Sequence, residues 1–431
     1  MKRKLKTVIG ILMSLSLALA LPVSALAAEP AREEGGEGND SGQVVKLAFT
    51  DAPTLTIGGT TINHPSYAGM LAFKGSFETA TNGAYTVELY PNGVLGDANE
   101  NLQNILSGTL TGGTPADGTL SGFANDISVF SIPYLFDTPL TAYDILDSDF
   151  GTELWDTIAE DTGLRIIAAW DNGGYRNFSN SKRPITCADD MEGLKIRVQE
   201  SEVYMTLVEG LGATVTPMAF LELYSGLQTG VVDGEENSAI TILGASLEEV
   251  QPYYTLDNHL LGLAFLVIDN NWYNSLDAQT KEYVLQAGRT CAIAARGVSR
   301  QAENLAIEEM ANSGVEIYYP TEEEKQTFKD ATQEQVAEFL RGSLDNPALV
   351  DELMERVSSN AYGNGVQNTA AVAASTEGEA DPAPTSAAQT VNSGGAGSNT
   401  LTIVLGLVAV IAILVAIFAL SRKTKDDGSD K

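Results

Sequence analysis

The stretch Met191-Glu192-Gly193-Leu194-Lys195-Ile196-Arg197-Val198 decides the fold class. Its period of two predicts a strand over residues 194–198, with Leu194, Ile196 and Val198 on one face and Lys195, Arg197 and Gln199 on the other. Downstream, Ala219 to Thr229 has helical spacing and stops at Gly230, a residue suited to a left-handed C′ position. A short strand, Val231-Val232, is expected after it. Strand, helix and strand in succession define an α/β unit.

The same alternation continues in both directions. Val44 to Phe49 reads as a strand and Ser66 to Thr81 as a helix ended by Asn82-Gly83. Tyr85, Val87 and Leu89 alternate with polar neighbours, Asn99 to Leu106 is a short helix, and Leu164 to Trp170 is another strand. After Trp272 comes a proline-free helical pattern from Asp277 to Asn312, about 50 Å long at 1.5 Å per residue although Gly288 and Gly297 weaken it. Helices over about 322–341 and 348–357 follow. A helix of that length exceeds the width of one small lobe, so it is expected to run across two.

Both ends differ from this middle. Lys2, Arg3, Lys4 and Lys6 precede an apolar run and Ala25-Leu26-Ala27, the pattern of a cleaved signal peptide over residues 1–27. An acidic, aperiodic leader is expected over 28–43 and a flexible stalk over 363–400, with an r.m.s. reach of roughly 35 Å. Leu401 to Leu420 is apolar apart from Thr402 and is long enough for one transmembrane helix. Arg422, Lys423 and Lys425 follow it, which predicts a cytoplasmic tail at 421–431 and an extracytoplasmic folded body.

The whole chain carries a net charge of -32. Leaving out the four basic residues of the signal and the tail's four basic against three acidic residues puts -37 between them. Such a surface repels nucleic acid and anionic lipid. It also repels an anionic ligand, so any site for one must be a local concentration of positive charge in a cleft.

Enzyme signatures are missing: the sequence has no GxSxG, HExxH, Walker A or GxGxxG motif. Only two histidines, His64 and His259, are present, and both are expected to be hydrogen-bonded structural residues. The two cysteines, Cys187 and Cys291, fit no metal spacing and are read as free thiols, with a single bridge as the alternative, Cys291 lying on a buried helical stripe with Val284, Ala287, Ala295 and Val298. Neither a cofactor nor catalysis is expected, although abundant carboxylates leave a surface hydrolase as an alternative.

Several segments carry a more specific signal. They are Gly174-Tyr175-Arg176-Asn177-Phe178-Ser179-Asn180, residues 191–198, Leu211-Gly212-Ala213, Met218-Ala219-Phe220, and Leu223 through Asn237. Pro91 to Gly96 with Glu100, Pro133-Tyr134-Leu135-Phe136 and Trp272 stand with them. In order and spacing they resemble the solute receptors of tripartite ATP-independent periplasmic (TRAP) transporters, the DctP family, over about residues 44–357.

The resemblance implies a two-lobed periplasmic-binding-protein-like fold braced by a long helix. Lobe I would be about 44–170 with 263–285, and lobe II about 171–262 with 286–360. It implies a small organic acid as ligand and separate integral membrane subunits as partners. The family's carboxylate-binding arginine falls on Arg197, a second arginine on Arg176, the ligand-contacting asparagine on Asn237, and Glu100 joins this candidate set. A guanidinium suits the role because it offers two parallel donors to a carboxylate and keeps its charge; the alternative for either arginine is an ion pair with a neighbouring acid. For Asn237 the alternative is a turn cap. Two departures stand out: Glu235 and Ser238 occupy positions where the family usually has Gln and Pro, and the signal offers no N-terminal cysteine for a lipid. Coupling to a signalling partner instead of a transporter is the rival within the receptor reading.

Overall fold

The structure, a computed structural model, describes residues 42–360. The expected signal, most of the leader, the stalk, the transmembrane segment and the tail lie outside the described residues. Among the described residues no helix is long and apolar enough to cross a membrane.

Two strands of 17 residues each organise the molecule: β6, Leu164–Asn180, and β10, Tyr253–Asp269. Each spans about 56 Å at 3.3 Å per residue. They pair antiparallel in the middle of a nine-stranded mixed sheet of order β4-β1-β5-β10-β6-β9-β7-β8, with β11 also on β10. At the Leu164/Asp269 end sit β1 (Gln43–Ala48), β4 (Tyr85–Tyr90) and β5 (Gly112–Gly113), with β1 parallel to both others. At the Asn180/Tyr253 end sit β7 (Lys195–Val198), β8 (Thr214–Pro217), β9 (Gly234–Asn237) and β11 (Glu316–Tyr318). A separate hairpin joins β2 (Thr54–Ile57) to β3 (Thr60–Asn63).

The long pair is irregular at its centre. Asp171 faces Leu263 and Tyr175 faces Leu261, so three residues of β6 bulge against one of β10. Gly173 (φ 91°) and Gly174 (φ 103°) occupy the bulge. A β-carbon on Gly174 would overlap the Glu303 carboxylate, so only glycine fits both the backbone angle and the space.

The helix Ala278–Asn312, 35 residues and about 52 Å long, lies along β6. Its buried stripe is built of small side chains. Val284, Ala287, Cys291 and Ala295 join the apolar core around β1 and β4, whereas Ala302, Ala306 and Met310 join a second core around the helix Leu223–Thr229 and the residues after β9. Gly288, which weakens the helix by propensity, is where its backbone meets β6: an added β-carbon would overlap the Ile167 carbonyl. A third core fills the other side of the sheet and includes Phe178, Ile196, Val198 and Phe328.

Several boundaries differ from the sequence expectation. The strand begun at Leu164 runs on to Asn180, because the glycines that suggested a break make a bulge inside it. Val231 and Val232 form a bend, and the strand starts at Gly234. The predicted helix at 219–229 is a 3-10 turn, Phe220–Glu222, followed by an α-helix, Leu223–Thr229, capped by Gly230 at φ 73°. Both cysteines are free thiols.

Candidate ligand-binding site

A cleft of about 670 Å³, its mouth included, opens beside the bulge and is lined by residues from both ends of the sheet. Thr50, Asp51, Asp97, Asn99 and Thr114 come from the β1, β4 and β5 side. Arg197, Gln199, Met218, Phe220 and Asn237 come from the β7, β8 and β9 side, and Asn172 and Arg176 from β6 itself. Across the mouth, Asn99 Nδ2 donates to Glu200 Oε2 at 2.6 Å.

Arg197 sits on β7 with Thr216 and Glu235 as its register partners. Apolar Ile196 and Val198 fill the core behind it, which leaves Arg197 and Gln199 on the cleft side. Its residue is only 2% exposed. Nε and Nη2 donate to the Met218 carbonyl at 3.0 and 2.7 Å. No carboxylate of the described residues forms a salt bridge with it. Burial therefore pulls its pKa down to about 10, with Arg176 adding to the fall and Glu235 and Glu236 resisting it. The strand presents a buried cation whose acceptor among the described residues is the neutral Met218 carbonyl.

Arg176 is different. Nε and Nη2 bind the Glu236 carboxylate at 2.5 and 2.8 Å, and Nη2 also reaches the Glu236 carbonyl at 2.6 Å. This is the ion-pair alternative. The network continues as His259 Nε2 to Glu236 Oε2 (3.3 Å), His259 Nδ1 to Asp257 Oδ2 (2.9 Å) and the Tyr134 hydroxyl to Asp257 Oδ2 (3.1 Å). Burial alone would raise Glu236, but Arg176 and His259 overcome it and hold the carboxyl at about 2. Likewise burial lowers His259, and Asp257 with Glu236 overrides it, leaving the imidazole at about 9.

A stability prediction follows from His259. Its folded pKa lies above the ordinary value near 6.5, so its contribution is complete below that value and is lost as pH rises through about 9. Chemical denaturation is expected to show a loss of about 3 kcal/mol between the two limits. His259→Gln is expected to flatten that limb.

Asn237 is 3% exposed, lines the cleft, and donates Nδ2 to Glu235 Oε2 at 2.6 Å; its backbone carbonyl accepts from the Tyr254 hydroxyl. Glu100 is not in the cleft wall. It is exposed and closes a capping box with Asp97 at the start of the helix Ala98–Leu106, which leaves Asp97 and Asn99 to line the cleft. Sequence reasoning missed Asn172, Asn99 and Thr114, which no local motif marks. Gln199 was within reach, since it shares the face of Arg197. His64 caps the helix Pro65–Ala80, with Nδ1 accepting from Ser66. Among the described residues no cluster of His, Cys, Asp and Glu is arranged to hold a metal.

Such a fold, with a cation-bearing cleft between two ends of a sheet, defines a solute-binding protein. The model of the family "Bacterial extracellular solute-binding protein, family 7" (DctP) matches residues 59–342, and the chain belongs to that family. Among similar curated proteins is the C4-dicarboxylate-binding periplasmic protein DctP of Rhodobacter capsulatus, 31% identical over 318 residues, which cover 73% of this chain and 88% of that one. The 2,3-diketo-L-gulonate-binding periplasmic protein YiaO of Escherichia coli is 26% identical over 62% of this chain and 80% of its own length. Two solved structures are also similar. The sugar acid binding protein DctPAm of Advenella mimigardefordensis, in complex with galactonate, has a TM-score of 0.68 at 26% identity and covers 73% of this chain and 98% of that one. A TRAP periplasmic solute binding protein of Polaromonas sp. JS666, bound to D-erythronate, has a TM-score of 0.67 at 26% identity, with 74% and 99% covered.

Proposed function

We propose that this chain is the extracytoplasmic receptor of a TRAP-type transporter, capturing a small hydroxylated organic acid in the cleft and handing it to separate membrane subunits. Family membership supports the receptor role, and the galactonate and D-erythronate held by similar proteins support the ligand class. The observation that carries it is Arg197, a buried guanidinium on the cleft wall that, among the described residues, is paired only with a carbonyl. A ligand carboxylate supplies the missing charge through a bidentate or charge-assisted contact. Asn237, with its Nδ2 committed to Glu235, offers Oδ1 to a ligand hydroxyl. Arg176, neutralised by Glu236, shapes the cleft and leaves Nη1 for a polar ligand group.

The two ends of the sheet act as lobes joined by β6, β10 and the long helix, and the bulge at residues 172–174 is the place where they flex. Closure expels water from the acid and Arg197, which strengthens the pair. The apolar segment 401–420 would tether the receptor to the membrane, and the stalk would let it reach its partners.

Thermal unfolding of the purified protein with galactonate, D-erythronate, pantoate and succinate tests the reading. An acid present at 100 times its Kd is expected to stabilise the fold by about 2.7 kcal/mol. Stabilisation by neutral sugars and by none of the acids would remove it.

A further inference from the structure

Next to Arg197 in the sheet lies a fully buried carboxyl group, that of Glu235, and the hydrogen bonds around it allow its protons to be counted. Glu235 is completely buried, opposite Arg197 in the β7–β9 register and opposite Ser179 in the β6–β9 register. Its Oε2 accepts from Asn237 Nδ2 at 2.6 Å. Its Oε1 lies 2.8 Å from Ser179 Oγ, and that hydroxyl lies 3.2 Å from Gln251 Oε1. Gln251 Nε2 donates to the Val250 carbonyl at 2.9 Å, which fixes the amide and aims Oε1 at Ser179. One hydroxyl proton thus faces two acceptor oxygens. Both bonds form when the carboxyl supplies the second proton, Glu235 donating to Ser179 and Ser179 to Gln251.

We propose that Glu235 stands protonated while the cleft is ready for an anion, and that its ionisation at higher pH shuts capture down by giving Arg197 an internal counter-charge. This rests on the reading of Arg197 given above. The charged and titratable groups facing Glu235 are Glu236 on its own strand, Arg176 on β6, Arg197 on β7 and the Tyr254 hydroxyl on β10. Burial, then Glu236, push its pKa above the ordinary carboxyl value, against the pull of Ser179, Asn237 and Arg176. With Glu236 matched to Arg176, a neutral Glu235 leaves the cation on Arg197 unanswered. A bound anion favours the neutral form further, so binding takes up a proton. Affinity is therefore greatest below the free-state pKa and falls as pH rises through it.

The test uses the full chain titrated with galactonate, D-erythronate and pantoate across the pH range. Kd in the wild type is expected to rise with pH, approaching about tenfold per pH unit at its steepest. Glu235→Gln, which keeps a neutral group of the same shape, is expected to lose that rise. Gln251→Met removes the competing acceptor, frees Ser179 to donate to the carboxylate, and is expected to move the rise to lower pH. Without ligand, the infrared difference between wild type and Glu235→Gln at neutral pH is expected to contain a protonated-carboxyl C=O band. Absence of that band, or an unchanged pH profile in Glu235→Gln, overturns the proposal. If the band is present but no acid binds at any pH, the carboxylate reading of Arg197 fails, and with it the control of capture.

Discussion

Arg197→Ala is expected to weaken binding of the cognate acid by about 3 to 5 kcal/mol, roughly 150- to 5,000-fold in Kd. The magnitude is that of a ligand carboxylate desolvated in the closed cleft without its partner. Arg197→Lys is expected to bind poorly as well, because an ammonium replaces the planar pair of donors with a point charge. Stability separates this from a folding defect. Arg197 is buried and forms no salt bridge among the described residues, so its removal relieves a poorly compensated charge, and the unliganded protein is expected to melt no lower than the wild type. Titration calorimetry and thermal unfolding of the same preparation measure both quantities.

The second large effect has the opposite pattern. Arg176→Met is expected to destabilise the unliganded fold by about 3 to 5 kcal/mol, since it strands the buried Glu236 carboxylate. Glu236→Gln added to it is expected to restore much of the loss. Acid sensitivity gives a further sign. Glu236 is held at about 2, so its contribution is present above the ordinary carboxyl range and is lost as pH falls toward 2. Chemical denaturation between about pH 5 and pH 2 is expected to show this acid limb in the wild type and its weakening in Arg176→Met. A variant as stable as the wild type would show that the pair is marginal.

The contrast between the two arginines was only partly legible in the sequence. Alternation at residues 194–198 identified which face Arg197 takes, because one face of a half-buried strand must be apolar. What decides its chemistry is that no acid of the described residues forms a salt bridge with it, and this depends on β7, β8 and β9 lying side by side. Arg176 carries the same side chain in an equally suggestive motif, yet β6 brings it against Glu236, 60 residues away in sequence. Glu100 shows the opposite limit, for its partner Asp97 is three residues away and the pair is a local cap signal.

The fold followed the same division. Helices with a regular apolar stripe, such as Pro65–Ala80 and Ala278–Asn312, lay within a residue or two of their expected bounds. The continuity of β6 was hidden by Gly173 and Gly174, whose usual meaning is a turn and whose meaning here is a bulge. Nothing in the sequence reading anticipated β10, because residues 253–269 are buried along nearly their whole length and lack the polar alternation of a half-exposed strand.

The most direct measurement is a crystal structure of the protein with galactonate or another acid from the stabilising set bound. The carboxylate is expected about 2.7 to 2.9 Å from the Arg197 guanidinium, with Arg176 still held by Glu236. A complex in which the acid's charged oxygens lie elsewhere, while Arg197 keeps only the Met218 carbonyl, would contradict the account.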